Sequence, residues 1–296
     1  MTSIKTICIW CFLALFLAVS GASWADDASL KPFVLAYRGA GTIDAKLGEV
    51  KAAVEREGFQ VVGEYAPYKG VHIVVVTSEA LRKNAANSRF GAYGAVLRIS
   101  ITEKGKDLQV SYINPLYMAQ AYRMKDGLAD TAAKIEKALG KKEMFGSKNG
   151  LTADKLHKYH YMMLMPYFTD QVELAKYKSH EEAIRAVEAN LATGKGGTVR
   201  VYRVDLPGKK ESVFGVGIRE GDGADEAVMK TVDYNELKQA AHLPYELIVS
   251  DGTVYMLHGK FRIAVDFPDL TMGTFMKISG APSAIENTLR QVAGGK

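Results

Sequence analysis

Apolar and polar residues in the first half of the chain form two kinds of run, alternating runs and runs with a helical period. Leu47, Val50 and Val54 share one helical face, and Gly58 ends that run. Runs such as HIVVVT and LQVSYIN are typical of strands. The pattern predicts strands at residues 33–38, 59–65, 72–77, 95–101 and 108–114, and helices at about 43–57 and 79–87, from Pro115, and at about 128–139.

The second half repeats this plan from about residue 171. Ile184, Val187 and Leu191 share a helical face with the spacing of the first helix, and Ser179 to Glu182 form a capping box before it. The pattern predicts strands at residues 172–177, 199–206, 212–218, 245–250 and 260–267. It predicts helices from the Ser179 capping box, at about 224–240, from Pro268, and near the C-terminus.

This order predicts two copies of one α+β unit. Aligning Pro115 with Pro268 places Tyr122 opposite Phe275. The segment between the copies, residues 145–168, is predicted to form a connecting helix with Thr152 as N-cap and Pro166 as its end. The expected division is 1–25 for an export signal, 26–144 for the first unit, 145–168 for the connecting helix and 169–296 for the second unit.

The first 25 residues are typical of a secretory signal peptide. Lys5 precedes an apolar run at residues 7–19, and small residues before Ala25 predict cleavage after it. We expect a soluble exported protein, periplasmic in a Gram-negative cell, with no membrane span in the mature chain. Both cysteines, Cys8 and Cys11, lie inside the signal. A mature chain would therefore have neither disulfides nor a thiolate nucleophile.

The charge and length of the chain narrow its possible partners. The formal net charge is +5, and the basic residues are dispersed. This distribution argues against nucleic acid as a partner. A chain starting at residue 26 would have 271 residues, enough for one large or two ordinary domains.

The first half resembles the bacterial family called domain of unknown function 302. The resemblance covers residues 33–125 and rests on EREGFQVV, on the hairpin that follows, and above all on LQVSYINPLYMAQAYRM at 108–124. It implies two-layer units, each a mostly antiparallel sheet with helices on one face. Many members read Cys-Asn-Pro where this chain has Val76, Thr77 and Ser78. Any role of that cysteine is therefore missing here.

The stretch HKYHYMMLM at residues 157–165 is a candidate metal site. On a helix, His157 and His160 would share one stripe with Tyr161 and Leu164, while Met163, the third candidate ligand, would project elsewhere. Imidazole and thioether ligands suit copper, although a stable site needs three or four ligands. The alternative is a packing seam, because methionines at helical spacing are often core filler. No cofactor is identified by the sequence beyond this possible copper or other metal.

The segment 114–124 is the main candidate for a ligand site. Aromatic and methionine side chains would form an apolar wall, and a guanidinium could bind a carboxylate or phosphate. The alternative is that these side chains only pack the helix onto the sheet. The candidate residues are Tyr112, Asn114, Met118, Tyr122 and Arg123.

The sequence favours a non-catalytic protein that binds a small, partly apolar ligand, either at 114–124 or between the units. Catalytic patterns such as GxSxG and HExxH are absent. His242 and His258 could line a cleft in the second unit, but their spacing does not show it. The alternatives are a periplasmic metal or cofactor carrier with a His/Met site and a scaffold for exported protein partners. An enzyme stays open, and the oligomeric state is not indicated.

Overall fold

The computed structural model describes residues 28–295. The expected signal peptide at residues 1–25 falls wholly before this range, so it lies outside the described residues. Within the described range, no helix has the length and apolar character needed to cross a membrane.

The first unit is a six-stranded antiparallel sheet with helices on one face. Its strands are β1 (Phe33–Gly39), β2 (Gln60–Tyr65), β3 (Val71–Thr77), β4 (Leu97–Lys104), β5 (Asp107–Ile113) and β6 (Glu143–Phe145), and its helices are α1 (Ile43–Arg56), α2 (Glu79–Ala86), α3 (Pro115–Ala121) and α4 (Ala129–Leu139). The strand order is β2-β3-β4-β5-β1-β6. Helices α1 and α4 pack against each other and against this sheet, where Val50, Val54 and Ile135 are buried.

The second unit is a five-stranded antiparallel sheet built in the same way. Its strands are β7 (Val172–Lys176), β8 (Thr198–Asp205), β9 (Glu211–Ile218), β10 (Tyr245–Ser250) and β11 (Thr253–Met256). Its helices are α6 (His180–Ala192), α7 (Asp225–Val232), α8 (Gly259–Asp266), α9 (Met272–Lys277) and α10 (Ala281–Ala293), while α5 (Ala153–His157) lies between the units. The predicted cap is present, because the Ser179 hydroxyl accepts from the Glu182 N–H at 3.2 Å.

The two sheets have equivalent strand orders. The order β7-β11-β10-β9-β8 is that of the first sheet without its extra edge strand β6. Even the β-bulges coincide, since β2 shifts register between Val61 and Gly63 and β8 shifts between Arg200 and Tyr202. The predicted α+β fold of two related units is therefore confirmed.

The predicted alignment of the prolines was wrong. Residues 260–267, expected to be a strand, lie largely in α8, which occupies the place of α3. Nearly every residue of α8 is buried, so it lacks the polar face by which a helix is recognised. No helix begins at Pro268, and α9 begins at Met272. By connectivity Tyr122, which follows α3, corresponds to Phe267 and not to Phe275.

The connecting helix is much shorter than predicted. It ends at His157, so residues 158–165 do not continue it. Tertiary bonds hold the chain in another conformation, because the Tyr159 hydroxyl donates to the Ala264 carbonyl at 2.8 Å and the Tyr161 hydroxyl donates to the Leu270 carbonyl. Leu164 has a positive φ of 68°, which no α-helical residue adopts.

The predicted helix at 224–240 is also shorter and ends at Val232. The residue after it explains the stop. The Asp233 carboxylate accepts from the Gln239 N–H at 3.0 Å, and the backbone carbonyl of Asp233 accepts from Lys238 Nζ at 2.6 Å. These bonds fold residues 233–239 into a loop that a continued helix could not form.

The helix-free faces of the two sheets pack against each other. A 3-10 turn at Gly91–Gly94 packs on β9 and β10, and a matching turn at Ala240–His242 packs on β3, β4 and β5. Strand β2 crosses β8 at Gly63, where a Cβ atom would meet the Val201 carbonyl and lie 3.0 Å from Tyr202 Cβ. One hydrophobic core runs across this inter-unit face.

Candidate functional site

The five predicted ligand-binding residues are packed at the junction of β5 and α3. They are Tyr112, Asn114, Met118, Tyr122 and Arg123. The three aromatic and methionine members are each 1% exposed. Asn114 caps α3 by accepting from the Leu116 N–H at 3.1 Å, and Arg123 Nε donates to the His157 carbonyl at 2.8 Å. The structure brings these residues together as a packed junction, and none of them lines the hollows described below.

The two histidines of the predicted metal site do not share a helical stripe, because the helix ends between them. His157 ends α5, while His160 lies beyond it with its ring 4.5 Å from the Tyr167 ring. Met163 is 82% exposed. Among residues 28–295, no group of three or more histidine, cysteine, aspartate or glutamate side chains is arranged to hold a metal ion.

The same segment instead contributes to an exposed apolar surface, which we call the methionine patch. Six of the seven large hydrophobic side chains exposed in the described range belong to it: Met162, Met163, Leu164, Tyr167, Met272 and Met276. Tyr161 joins its two segments, because its ring stacks on Phe275 at 6.4 Å.

A cluster of buried charges lies where the two sheets meet. Its members are Arg98, His242, Glu246, Arg262 and Asp266, each 4% exposed or less. Arg98 Nη1 lies 2.7 Å from Glu246 Oε1, and the Tyr202 hydroxyl donates to the same oxygen at 2.8 Å. Arg262 contacts Asp266 and lies 3.6 Å from Glu246. The positive charges of the two guanidinium groups balance the negative charges of the two carboxylates. Because the charges are paired, the fold can bury all four.

His242 is the neutral member of this cluster. Its Nδ1 lies 2.8 Å from Asp266 Oδ2, and burial together with the nearby Arg262 lowers the pKa of His242 to about 4. Burial opposes ionisation of Asp266, but Arg262 and the His242 hydrogen bond outweigh it and lower the pKa of Asp266 to about 2. His242, which the sequence left as one of two histidines that could line a cleft, is fully buried.

A cleft between the two units is the best candidate for a binding site. We call it the inter-unit cleft, and its volume is about 290 Å³. The first unit supplies the β2–β3 turn and the end of β4, and the second unit supplies α7 and the loop after it. The lining residues are Tyr68, Lys69, Gly70, Val71, Thr102, Glu103, Glu226, Met229, Lys230, Asp233 and Lys238.

Two larger hollows are less suited to a ligand. One of about 560 Å³ lies beside α5, but Ser147 there already donates to the Asp269 carboxylate at 3.2 Å. Another of about 550 Å³ lies at the start of α1, where the Thr42 hydroxyl is occupied as the helix cap. The inter-unit cleft differs from both because it has a buried polar group without a partner.

That group is the hydroxyl of Thr102. Thr102 is 5% exposed, and its Oγ1 has no hydrogen-bond partner in the described part of the chain. A hydroxyl buried without a partner costs about 1–3 kcal/mol. Such a group is a reason to look for a ligand, because native proteins rarely leave one unpaired.

Two titratable groups of the cleft, one from each unit, have altered pKa values. Burial raises the pKa of Asp233 to about 6, although Gln239 N–H and Lys238 counteract it. Burial, with the charge of Asp233 next in size, raises the pKa of Tyr68 above its usual range. Titratable groups perturbed in this way and facing a cleft are typical of functional sites.

Sequence reasoning named a ligand between the units but missed the residues of the inter-unit cleft, although one signal for them was present. Polar side chains alternate along β4 at Arg98, Ser100 and Thr102, and along β5 at Gln109 and Ser111. On a sheet with one face in water these positions would be exposed, yet all five are 5% exposed or less. An arginine in the middle of an apolar strand could have indicated a second layer that carries a carboxylate.

Comparisons of this chain with protein-family models, with curated proteins and with solved structures found no match. The function is therefore argued from the geometry alone.

Proposed function

We propose that the protein binds a small polar molecule in the inter-unit cleft and that it has no catalytic role. The observation that carries this proposal is the Thr102 hydroxyl, which is buried in the wall of the cleft without a partner. A bound ligand that accepts its proton would remove the cost of burying it. The volume of about 290 Å³ is close to the lower end of the range usual for small-molecule sites.

The composition of the lining supports a polar ligand. Three lysines and three acidic residues line the cleft, beside one methionine and one tyrosine. Because both units supply walls, a ligand would bridge them, which suits a binding protein built from two units. Of the two sites that the sequence left open, the proposal keeps the one between the units and not the one at 114–124 with Arg123.

Export and family membership remain proposals. The residues before 28 that carry the expected signal peptide support export to the periplasm of a Gram-negative cell. The segment 108–124 supports membership of the family called domain of unknown function 302. The α+β units with helices on one sheet face agree with what that resemblance implies.

Native mass spectrometry of the protein purified from its own cells tests the binding proposal. We expect a discrete excess mass that disappears on denaturation and that the Thr102→Val variant retains less well. Ser250→Ala is the matched control, because Ser250 lies on the other sheet away from the cleft and has its own partner, Glu211. The absence of any excess mass, or an equal excess in Thr102→Val, would contradict the proposal.

Metal carriage is a second candidate, favoured by the methionine patch. Its four methionines, Met162, Met163, Met272 and Met276, are each at least 42% exposed, and thioether sulfur suits Cu(I). Competition for Cu(I) with a chromogenic chelator would measure affinity. Replacing Met163 and Met276 by leucine keeps the apolar surface and removes sulfur, so unchanged Cu(I) affinity in that variant and in His160→Ala would reject this candidate.

A further inference from the structure

The two units place equivalent residue pairs at the ends of their third and fourth strands. In the first unit, Val71 on β3 is paired with Thr102 on β4. In the second unit, Glu211 on β9 is paired with Ser250 on β10. The register between these pairs and the central Arg98 and Glu246 is the same in both units, with no bulge in between. Val71 therefore corresponds to Glu211, and Thr102 corresponds to Ser250.

At the second-unit position the Glu211 carboxylate satisfies every polar group around it. Its Oε2 accepts from the Ser250 hydroxyl at 3.1 Å and lies 3.1 Å from Lys209 Nζ. Its Oε1 accepts from the Ala92 N–H of the opposite 3-10 turn at 3.1 Å. Lys209 also donates to the Ser88 carbonyl at 2.7 Å, so this position is closed by the protein itself.

At the first-unit position the carboxylate is missing. Val71 stands in place of the glutamate, and the hydroxyl of Thr102 has no partner. A lysine is kept, since Lys69 precedes Val71 by two residues as Lys209 precedes Glu211, and Lys69 lines the cleft. The opposite 3-10 turn is also kept, with Ala240 in the place of Ala92. The first unit therefore keeps a hydroxyl and a lysine at the position where the second unit has its carboxylate.

We propose that the ligand of the inter-unit cleft carries a carboxylate, which takes the place that the Glu211 side chain fills in the second unit. This inference rests on the proposed function and names the chemical class of its ligand. The ligand carboxylate accepts from the Thr102 hydroxyl and pairs with a lysine of the cleft. Hydrogen bonds to a charged acceptor are stronger than neutral ones, so this group dominates recognition.

The other charges of the cleft are compatible with one added carboxylate. Lys69, Lys230 and Lys238 balance Glu103, Glu226 and Asp233, so the lining is neutral when all six are charged. Glu226 on α7 and Asp233 just after it belong to the second unit, across the cleft from Thr102, where they can meet a hydroxyl or ammonium group of the same ligand. A hydroxy acid or an amino acid has this combination of groups.

Titration with propionate, propionamide and propylamine tests the ligand class. Backbone amide shifts of Val71 and Thr102 in the mature protein report on the cleft. We expect propionate to bind with a dissociation constant about tenfold or more below those of the amide and the amine, because only propionate offers a charged acceptor. Val71→Glu should restore the internal carboxylate, abolish propionate binding and leave the fold intact. The control Val76→Ile, on the same strand away from the cleft, should bind propionate normally.

The outcomes separate this inference from the proposed function. Equal or tighter binding of the amide or the amine overturns the carboxylate and keeps the cleft as a binding site. Propionate binding that persists in Val71→Glu overturns the inference as well. If no probe shifts the cleft amides while the excess mass in native spectra is lost in Thr102→Val, the carboxylate is rejected and the binding function stands. If that excess mass is also absent, the proposed function fails with it.

Discussion

Replacing Arg98 by methionine removes one partner of a fully buried ion pair. Arg98 is 0% exposed, and its Nη1 lies 2.7 Å from the Glu246 carboxylate. At an effective dielectric constant of about 20, this pair attracts by about 6 kcal/mol. Glu246 keeps the Tyr202 hydroxyl and the guanidinium of Arg262 at 3.6 Å, so part of that energy is retained. We expect Arg98→Met to lower the free energy of unfolding by about 3–5 kcal/mol.

The double variant Arg98→Met, Glu246→Leu separates the ion pair from the loss of packing. Removing both charges leaves Arg262 paired with Asp266, and apolar replacements of a buried pair are often close to neutral. The double variant should therefore be more stable than Arg98→Met alone, with a coupling of about 0.5–3 kcal/mol.

Urea unfolding followed by far-UV circular dichroism and tyrosine fluorescence measures both variants. Both tryptophans, Trp10 and Trp24, precede residue 25, so tyrosine is the fluorophore to follow in a chain that starts at residue 26. A decrease in the free energy of unfolding of less than about 1 kcal/mol in Arg98→Met would contradict this prediction. A buried carboxylate that loses one of its partners should destabilise the fold by more than that. A double variant as unstable as the sum of the two single variants would refute it too.

Three further predictions follow from the inter-unit face. Gly63→Ala should lower the free energy of unfolding, measured in urea, by about 1–3 kcal/mol, because the alanine Cβ would meet the Val201 carbonyl. An unchanged free energy of unfolding would mean that β2 and β8 cross elsewhere. The Asp225 carboxylate accepts from the Tyr65 hydroxyl, and burial raises the pKa of Asp225 to about 7. Folding therefore favours the protonated form of Asp225, and its ionisation lowers the free energy of unfolding as the pH rises from 5 to 8. Relative to wild type, Asp225→Asn should gain about 2–3 kcal/mol over that range, and a constant difference would contradict this. Propionate should bind more tightly at pH 5.5 than at pH 7.5, because Asp233, with a pKa of about 6, loses its negative charge at the lower pH. The charges around it in the cleft are those of Glu226, Glu103 and the cleft lysines. Asp233→Asn should remove this pH dependence, and its persistence would exclude Asp233 as the cause.

Sequence patterns were sufficient to predict an element and its buried face where the opposite face meets water. The α1 and α6 helices show this, because Val50, Val54, Val187 and Leu191 are buried at the predicted spacing. The patterns failed where an element is buried all round, as in α8, because periodicity then carries no signal. They also failed at residues 158–165, where hydrogen bonds from Tyr159 to the second unit override helical spacing.

The candidate site could be predicted only in part. A ligand between the units was among the expectations, but the cleft depends on Thr102, Tyr68 and Asp233, which come from three separate segments. Their meeting is set by how the two sheets pack, and no local pattern encodes it. The correspondence of Val71 with Glu211 likewise becomes visible only when both strand registers are known.

A high-resolution crystal structure of the protein purified from its own cells would test the binding function most directly. We predict non-protein electron density in the inter-unit cleft, with an acceptor atom at hydrogen-bond distance from the Thr102 hydroxyl. A cleft closed by its own side chains, with that hydroxyl donating to a protein atom, would contradict it.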